Sequence, residues 1–177
     1  MKETVDVTEY AGLIAKALPK GILLNTKNEK FNSMVIGWGG LGTTWSRPTF
    51  TVLVRENRYT KAPLDATGEF TISVPLEKPI PLITKVCGVQ SGHDVDKVEV
   101  AHLTLVEPEV VSVPAIKEYP LTLECKVLYA QPLDLSKLPD DIREKMYPQD
   151  VDGSYHGANR DAHTVYVGEI VASYLIK

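Results

Sequence analysis

The sequence is poor in cysteine. It has two, Cys87 and Cys125, and neither belongs to a CxxC pair. That excludes a disulfide scaffold and a cysteine-rich metal site, and predicts two free, buried thiols in a cytoplasmic protein. Positive charge is also in short supply, with 19 Lys and Arg against 23 Asp and Glu, a net charge of −4. A phosphate backbone needs a basic face, so a general nucleic-acid binder is excluded. No apolar run approaches the length of a membrane-spanning helix. The start, MKETVDVTEY, lacks the apolar stretch of a signal peptide. Repeats, low-complexity tracts and long linkers are missing too, so residues 1–177 read as one domain able to bury about 70% of its unfolded surface.

Several chemical signatures are absent as well. There is no Gly-x4-Gly-Lys-Ser/Thr loop for a nucleotide phosphate and no GxSxG elbow for a serine nucleophile. GWGGLG superficially resembles a dinucleotide fingerprint, but a β-strand follows it where that fingerprint must open a helix. His93 with His102, and His156 with His163, lack the tight spacing of metal ligands, and no metal is expected.

What is present is mainly β. TFTVLVR (Thr49–Arg55) and FTISV (Phe70–Val74) are β-branched and aromatic, and GILLNT (Gly21–Thr26) and Ser33–Trp38 also read as strands. Tyr119–Gln131 alternates apolar and polar residues, and Thr164–Ile176 makes a second long strand. Short helices are expected at Glu9–Leu18, from Thr60 to Thr67 with Thr60 as cap and Gly68 as stop, at Pro79–Val89, and at Pro139–Met146. Six or seven strands with few helices predict an antiparallel barrel. The last strand, ending VASYLIK, would be an exposed edge in a monomer, which predicts a twofold homodimer covering it or its neighbour.

Three segments carry chemical potential. NSMVIGWGGLGTTW holds four glycines and both tryptophans. Two readings stand side by side. In one, the glycines serve a hairpin turn and Trp38 and Trp45 fill core. In the other, Gly39, Gly40 and Gly42 let backbone N–H groups approach a flat ligand, with Met34 and Trp38 as its apolar wall. RENRYTK gathers Arg55, Arg58, Tyr59, Thr60 and Lys61 at a strand end and helix start, a composition that suits a phosphate. SGHDVDK adds Ser91, Gly92, His93 and Lys97, and for both of these segments a solvated loop is the competing reading.

The ordered set NSMVIGWGGLGT, FTVLVRENRYT, GEFTISVP, CGVQSGHDVDK, LECKV and HTVYVGEI resembles the flavin reductase-like, or flavoredoxin, family from about Gly21 to Ile170. The resemblance implies an FMN-binding split barrel, a homodimer with flavin near the subunit interface, and an oxidoreductase passing electrons or hydride through FMN. It implies Asn32 and Trp38 beside the flavin ring, and Thr60 with the Arg58–Tyr59 backbone and Arg55 or Arg58 at the phosphate. Lys97 and His163 would reach the flavin from the SGHDVDK loop and the last strand. Gly39, Gly40 and Thr43, with Ser91, Gly92 and His93, complete the expected cofactor-binding residues. Members commonly carry Arg where this chain has His93 and continue past the GEI strand, which implies a flavin left more open here or covered by the partner subunit. The electron donor, NAD(P)H or a redox protein, and the acceptor stay unspecified. A non-catalytic FMN electron carrier and a barrel holding haem or another ligand are the alternative readings. No catalytic side chain is expected, because flavin performs the chemistry itself.

Overall fold

In the computed structural model, which describes residues 1–154 and 157–177, every strand pair is antiparallel. In chain order the elements are β1 (Lys2–Thr4), α1 (Ala11–Ala17), β2 (Ile22–Lys27), β3 (Phe31–Ile36), β4 (Gly39–Thr44) and β5 (Arg47–Arg55). There follow α2 (Lys61–Thr67), β6 (Glu69–Val74), α3 (Pro81–Val89), α4 (Lys97–Val100), β7 (Leu105–Val106) and β8 (Ala115–Ile116). The chain closes with β9 (Leu121–Pro132), α5 (Asp140–Met146) and β10 (His163–Ile176). One sheet runs β3-β2-β6-β9-β10-β5-β4, with β1 also paired to β10, and β7 and β8 form a separate ribbon. Only Gly37 and Trp38 separate β3 from β4 in the chain, yet these strands are the two ends of the sheet order. The ladder is therefore open between them. The fold is the expected antiparallel split barrel with a few short helices.

Inward positions follow the strand period of two. Ile22 and Leu24, Phe50, Val52 and Val54, Phe70, Ile72 and Val74, and Leu121, Leu123 and Cys125 form the interior with Ile14 from α1. The run ILL in β2 breaks the alternation because both its faces are covered. Leu23 points the other way, into a second cluster with Ile83, Val86 and Cys87 of α3 and with Ala101 and Leu103. On the outer side of β9 the buried Glu124 carboxylate accepts the backbone N–H groups of Glu109, Val110 and Val111 at 2.6, 2.7 and 3.0 Å. One side chain thus docks the connection leading to β8.

Three expectations need correction. The glycine-rich stretch is a strand, β4, and the hairpin turn falls on Trp45 and Ser46, with φ of 51° and 59°. A two-residue hairpin of this hand requires positive φ at both central positions, and here non-glycine residues accept it. Trp45 is 62% exposed and Trp38 41%, so neither fills the core. The final strand is not an edge: β9 pairs with it on one side, and β5 and then β1 on the other, with Lys2–Thr4 covering Tyr174–Ile176. The less covered stretch is the end of β9, where the ladder with β6 stops at Lys126 and Leu128 and Tyr129 are exposed. Among the described residues, no helix is long and apolar enough to cross a membrane.

Candidate functional site

A cavity of about 230 Å³ opens beside the gap between β3 and β4. Its walls come from the end of β3, Trp38, the end of β5, residues 57–60, and the C-terminal end of α3 with the loop leading to Lys97. Eleven of the side chains and backbone positions singled out in the sequence lie here: Asn32, Met34, Trp38, Arg55, Arg58, Tyr59, Thr60, Ser91, Gly92, Lys97 and His163. Residues from Asn32 to His163 converge because β5 ends and β10 begins at this rim, beside β3.

Thr60 is the N-cap residue of α2, but its side chain does not cap the helix. Its Oγ1 accepts from Asn32 Nδ2 at 2.9 Å, with both residues buried. The Thr60 hydroxyl proton is thereby left for another acceptor. Asn32 Oδ1 and Gln90 Oε1 are buried carbonyl oxygens without a hydrogen-bond donor among the described residues. Gly92 sits so close to Asn32 and Tyr59 that a Cβ would lie 2.5 Å from Asn32 Oδ1 and 2.9 Å from the Tyr59 ring. The Ser-Gly-His spacing is thus a packing requirement as well as a loop signal.

Lys97, the first residue of α4, is buried. Its ammonium donates to Ser33 O at 2.8 Å and Cys87 O at 3.3 Å, tying β3 to α3 under the cavity. Burial lowers its pKa from the ordinary lysine value, partly offset by the neighbouring Cys87 thiol. Arg55 also borders the cavity, yet its guanidinium is committed to backbone carbonyls. It donates to Asn159 O at 2.9 Å, Asp161 O at 2.7 Å and Met146 O at 2.7 Å. Arg55 is therefore a tether for the segment before β10, and the expectation that it anchors a phosphate gives way to Arg58. The latter donates to Asn159 Oδ1 at 2.9 Å.

His163 opens β10 and packs a tilted ring against Trp38, 5.2 Å between centroids. Burial, and then the Arg55 cation, push its pKa down to about 4, so the imidazole is neutral at pH 7. Tyr147, which no sequence signal singled out, meets His163 Nδ1 through its hydroxyl at 2.8 Å.

Four expected residues lie elsewhere. Gly39, Gly40 and Thr43 belong to β4 and do not border the cavity, because the strand runs away from the rim along β5. Gly39 has φ of 127° and a Cβ there would lie 2.1 Å from Thr51 O, so its glycine is required by the neighbouring strand. His93 packs edge-on against Tyr59 at 4.7 Å and lines a separate groove that Tyr59 also borders. His156 lies outside the described residues. Sequence reading missed Asn57, Asn159 and Gln90 in the cavity wall. Gln90 was findable, since it precedes the polar loop, whereas Asn159 carries no local signal.

Residues 16–177 match the family model described as flavin reductase like domain. The chain is 36% identical over 100 residues to an uncharacterized protein of Archaeoglobus fulgidus, covering 56% of this chain and 55% of that one. It thus spans about half the length of this curated relative. Among solved structures it is similar to flavoredoxin from Methanosarcina acetivorans, with 26% identity, 89% of this chain and 69% of that chain covered, and a TM-score of 0.64. An FMN-binding domain of a flavin reductases-like enzyme from Shewanella baltica shares the fold at 17% identity, with 99% and 77% of the two chains covered and a TM-score of 0.66.

Proposed function

This chain belongs to the flavin reductase like domain family, and on that premise we propose that it binds FMN in the cavity beside the barrel's open seam. Its function would be that of an FMN-dependent oxidoreductase, moving electrons or hydride between a donor and an acceptor. The observation that carries this reading is the chemistry gathered in one wall. Trp38 offers a flat apolar face with the neutral His163 ring tilted beside it, and the unpartnered Asn32 Oδ1 and Gln90 Oε1 suit a ring bearing N–H. Arg58 and the Thr60 hydroxyl supply a positive charge and a donor, which an acidic chain must concentrate to hold a phosphate. Bound flavin supplies the redox chemistry. The protein's part is to bind, orient and exclude water: Asn32 is held by Thr60, Lys97 fixes the cavity floor, and His163 stays uncharged beside Trp38.

The absorption spectrum of the purified protein, followed by titration of the flavin-free chain with FMN and riboflavin, tests the binding. A yellow protein that prefers FMN is expected. A protein that takes up neither flavin refutes the reading. Rapid bleaching of bound FMN by NADH or NADPH distinguishes a reductase from an electron carrier, which bleaches slowly. We further propose a homodimer. The end of β9 exposes Leu128 and Tyr129, and Trp45 meets Tyr129 at 6.3 Å, an aromatic surface beside an uncovered strand. The two free, buried cysteines suit a reducing compartment, and we assign the protein to the cytoplasm.

A further inference from the structure

Tyr147 lies in none of the segments that the sequence marks as chemical, yet it meets His163 directly. Its hydroxyl is 2.8 Å from Nδ1, and the rings meet edge to face at 5.5 Å. Tyr147 is 3% exposed and His163 6%. Which of the two donates follows from counting donors. A neutral imidazole has one N–H and one bare nitrogen, and a phenol has one O–H. If Nδ1 carried the proton, it would donate to the phenol oxygen and the Tyr147 O–H would need a second acceptor. Among the described residues the hydroxyl has no other partner. A buried O–H without an acceptor is costly, whereas a hydroxyl donating to bare Nδ1 leaves nothing unmet.

We infer that Tyr147 is a positioning residue that holds His163 in the Nε2–H tautomer, so that a neutral N–H donor is presented to whatever occupies the cavity. With Nδ1 engaged, Nε2 is the only ring nitrogen that can meet a ligand in the cavity that His163 lines. The ligand must therefore offer an acceptor there, a carbonyl oxygen or an unprotonated ring nitrogen. Only the naming of that ligand as FMN rests on the function proposed above.

Arg55 completes the arrangement from behind. It donates to Met146 O at 2.7 Å, the residue before Tyr147, and its cation lies 4.9 Å from the Tyr147 ring centroid. One guanidinium thus fixes the tyrosine that fixes the histidine. Burial raises the Tyr147 pKa, so the phenol keeps the proton it donates. The neutral state of His163 persists at pH 7, which keeps a full positive charge away from the Trp38 face.

Nitrogen-15 NMR of the histidine side chains in the flavin-free protein at pH 7 reads the tautomer without any cofactor. The His163 signals are identified by their loss in His163→Gln. The expected result is a bare Nδ1 and a protonated Nε2. Tyr147→Phe, which keeps the ring packing, should convert that pattern to a mixture of tautomers and weaken FMN binding roughly two- to tenfold, the effect of one neutral hydrogen bond. A wild-type His163 protonated at Nδ1 overturns the inference. So does a Tyr147→Phe protein whose histidine signals and FMN affinity both match wild type. If wild type shows the expected tautomer yet binds no FMN, the positioning role stands and the flavin reading alone fails.

Discussion

Gly39 and Gly40 are neighbours that answer to different constraints. Gly39 combines φ of 127° with a strand so close that a Cβ would meet Thr51 O at 2.1 Å. Gly39→Ala should therefore cost about 3 kcal/mol or more, from backbone strain and overlap together. Gly40 has an ordinary φ and no atom within 4 Å of an added Cβ. Gly40→Val should change stability by less than about 0.5 kcal/mol and leave FMN occupancy intact. Parallel urea melts and flavin titrations of the two variants check this, and a Gly40→Val protein that loses FMN would restore that glycine to the site. His163 makes a second case at this scale. Its folded pKa, about 4, lies below the ordinary value of 6.5. Between those values the unfolded chain binds more protons than the folded one, so this residue's contribution favours folding at pH 7 and declines as pH falls toward 4. In His163→Gln the loss of stability between pH 7 and pH 5 should be smaller than in wild type, as denaturant midpoints at the two pH values would show.

At the scale of elements, the connection from α5 to β10 is tied down by Arg55 at three backbone carbonyls. Replacing Arg55 by Met keeps much of the stem but removes its donors to three carbonyls. A loss of about 3 kcal/mol is expected, because bonds from a charged donor are the stronger kind. Faster amide exchange across residues 146–161 would distinguish loss of the tether from general weakening. The elements themselves were largely legible. TFTVLVR and FTISV announce strands through β-branching, and α2 ends where Gly68 takes φ of 64°. The β4 strand was not legible, since three of its six residues are glycine and its pairing with β5 is set by the turn at Trp45 and Ser46. The cavity was legible wherever a local motif pointed to it, as with Asn32, Thr60 and Lys97. Tyr147 and Asn159 escaped because long-range bonds from Arg55 and Arg58, and no local motif, bring their segment to the rim. Arg55 itself was found for its charge, but the structure spends that charge on backbone carbonyls.

For the whole molecule, the homodimer gives the clearest test. Sedimentation at micromolar concentration should report a species of twice the chain mass of 19.5 kDa. Leu128→Glu with Tyr129→Glu should shift it toward monomer, since both side chains are exposed along the uncovered end of β9. A stable wild-type monomer would count against the proposal. The placement of the two tryptophans has an optical consequence. Trp45 stands at a hairpin tip, 62% exposed, while Trp38 borders the cavity with its ring against His163. Their fluorescence should therefore separate into a Trp45 component that acrylamide quenches readily in the monomer and poorly in the proposed dimer, and a Trp38 component that a bound flavin extinguishes by energy transfer at close range. The chain carries its own pair of lamps, one watching the proposed subunit contact and one watching the site, and both association and occupancy can be read without a label.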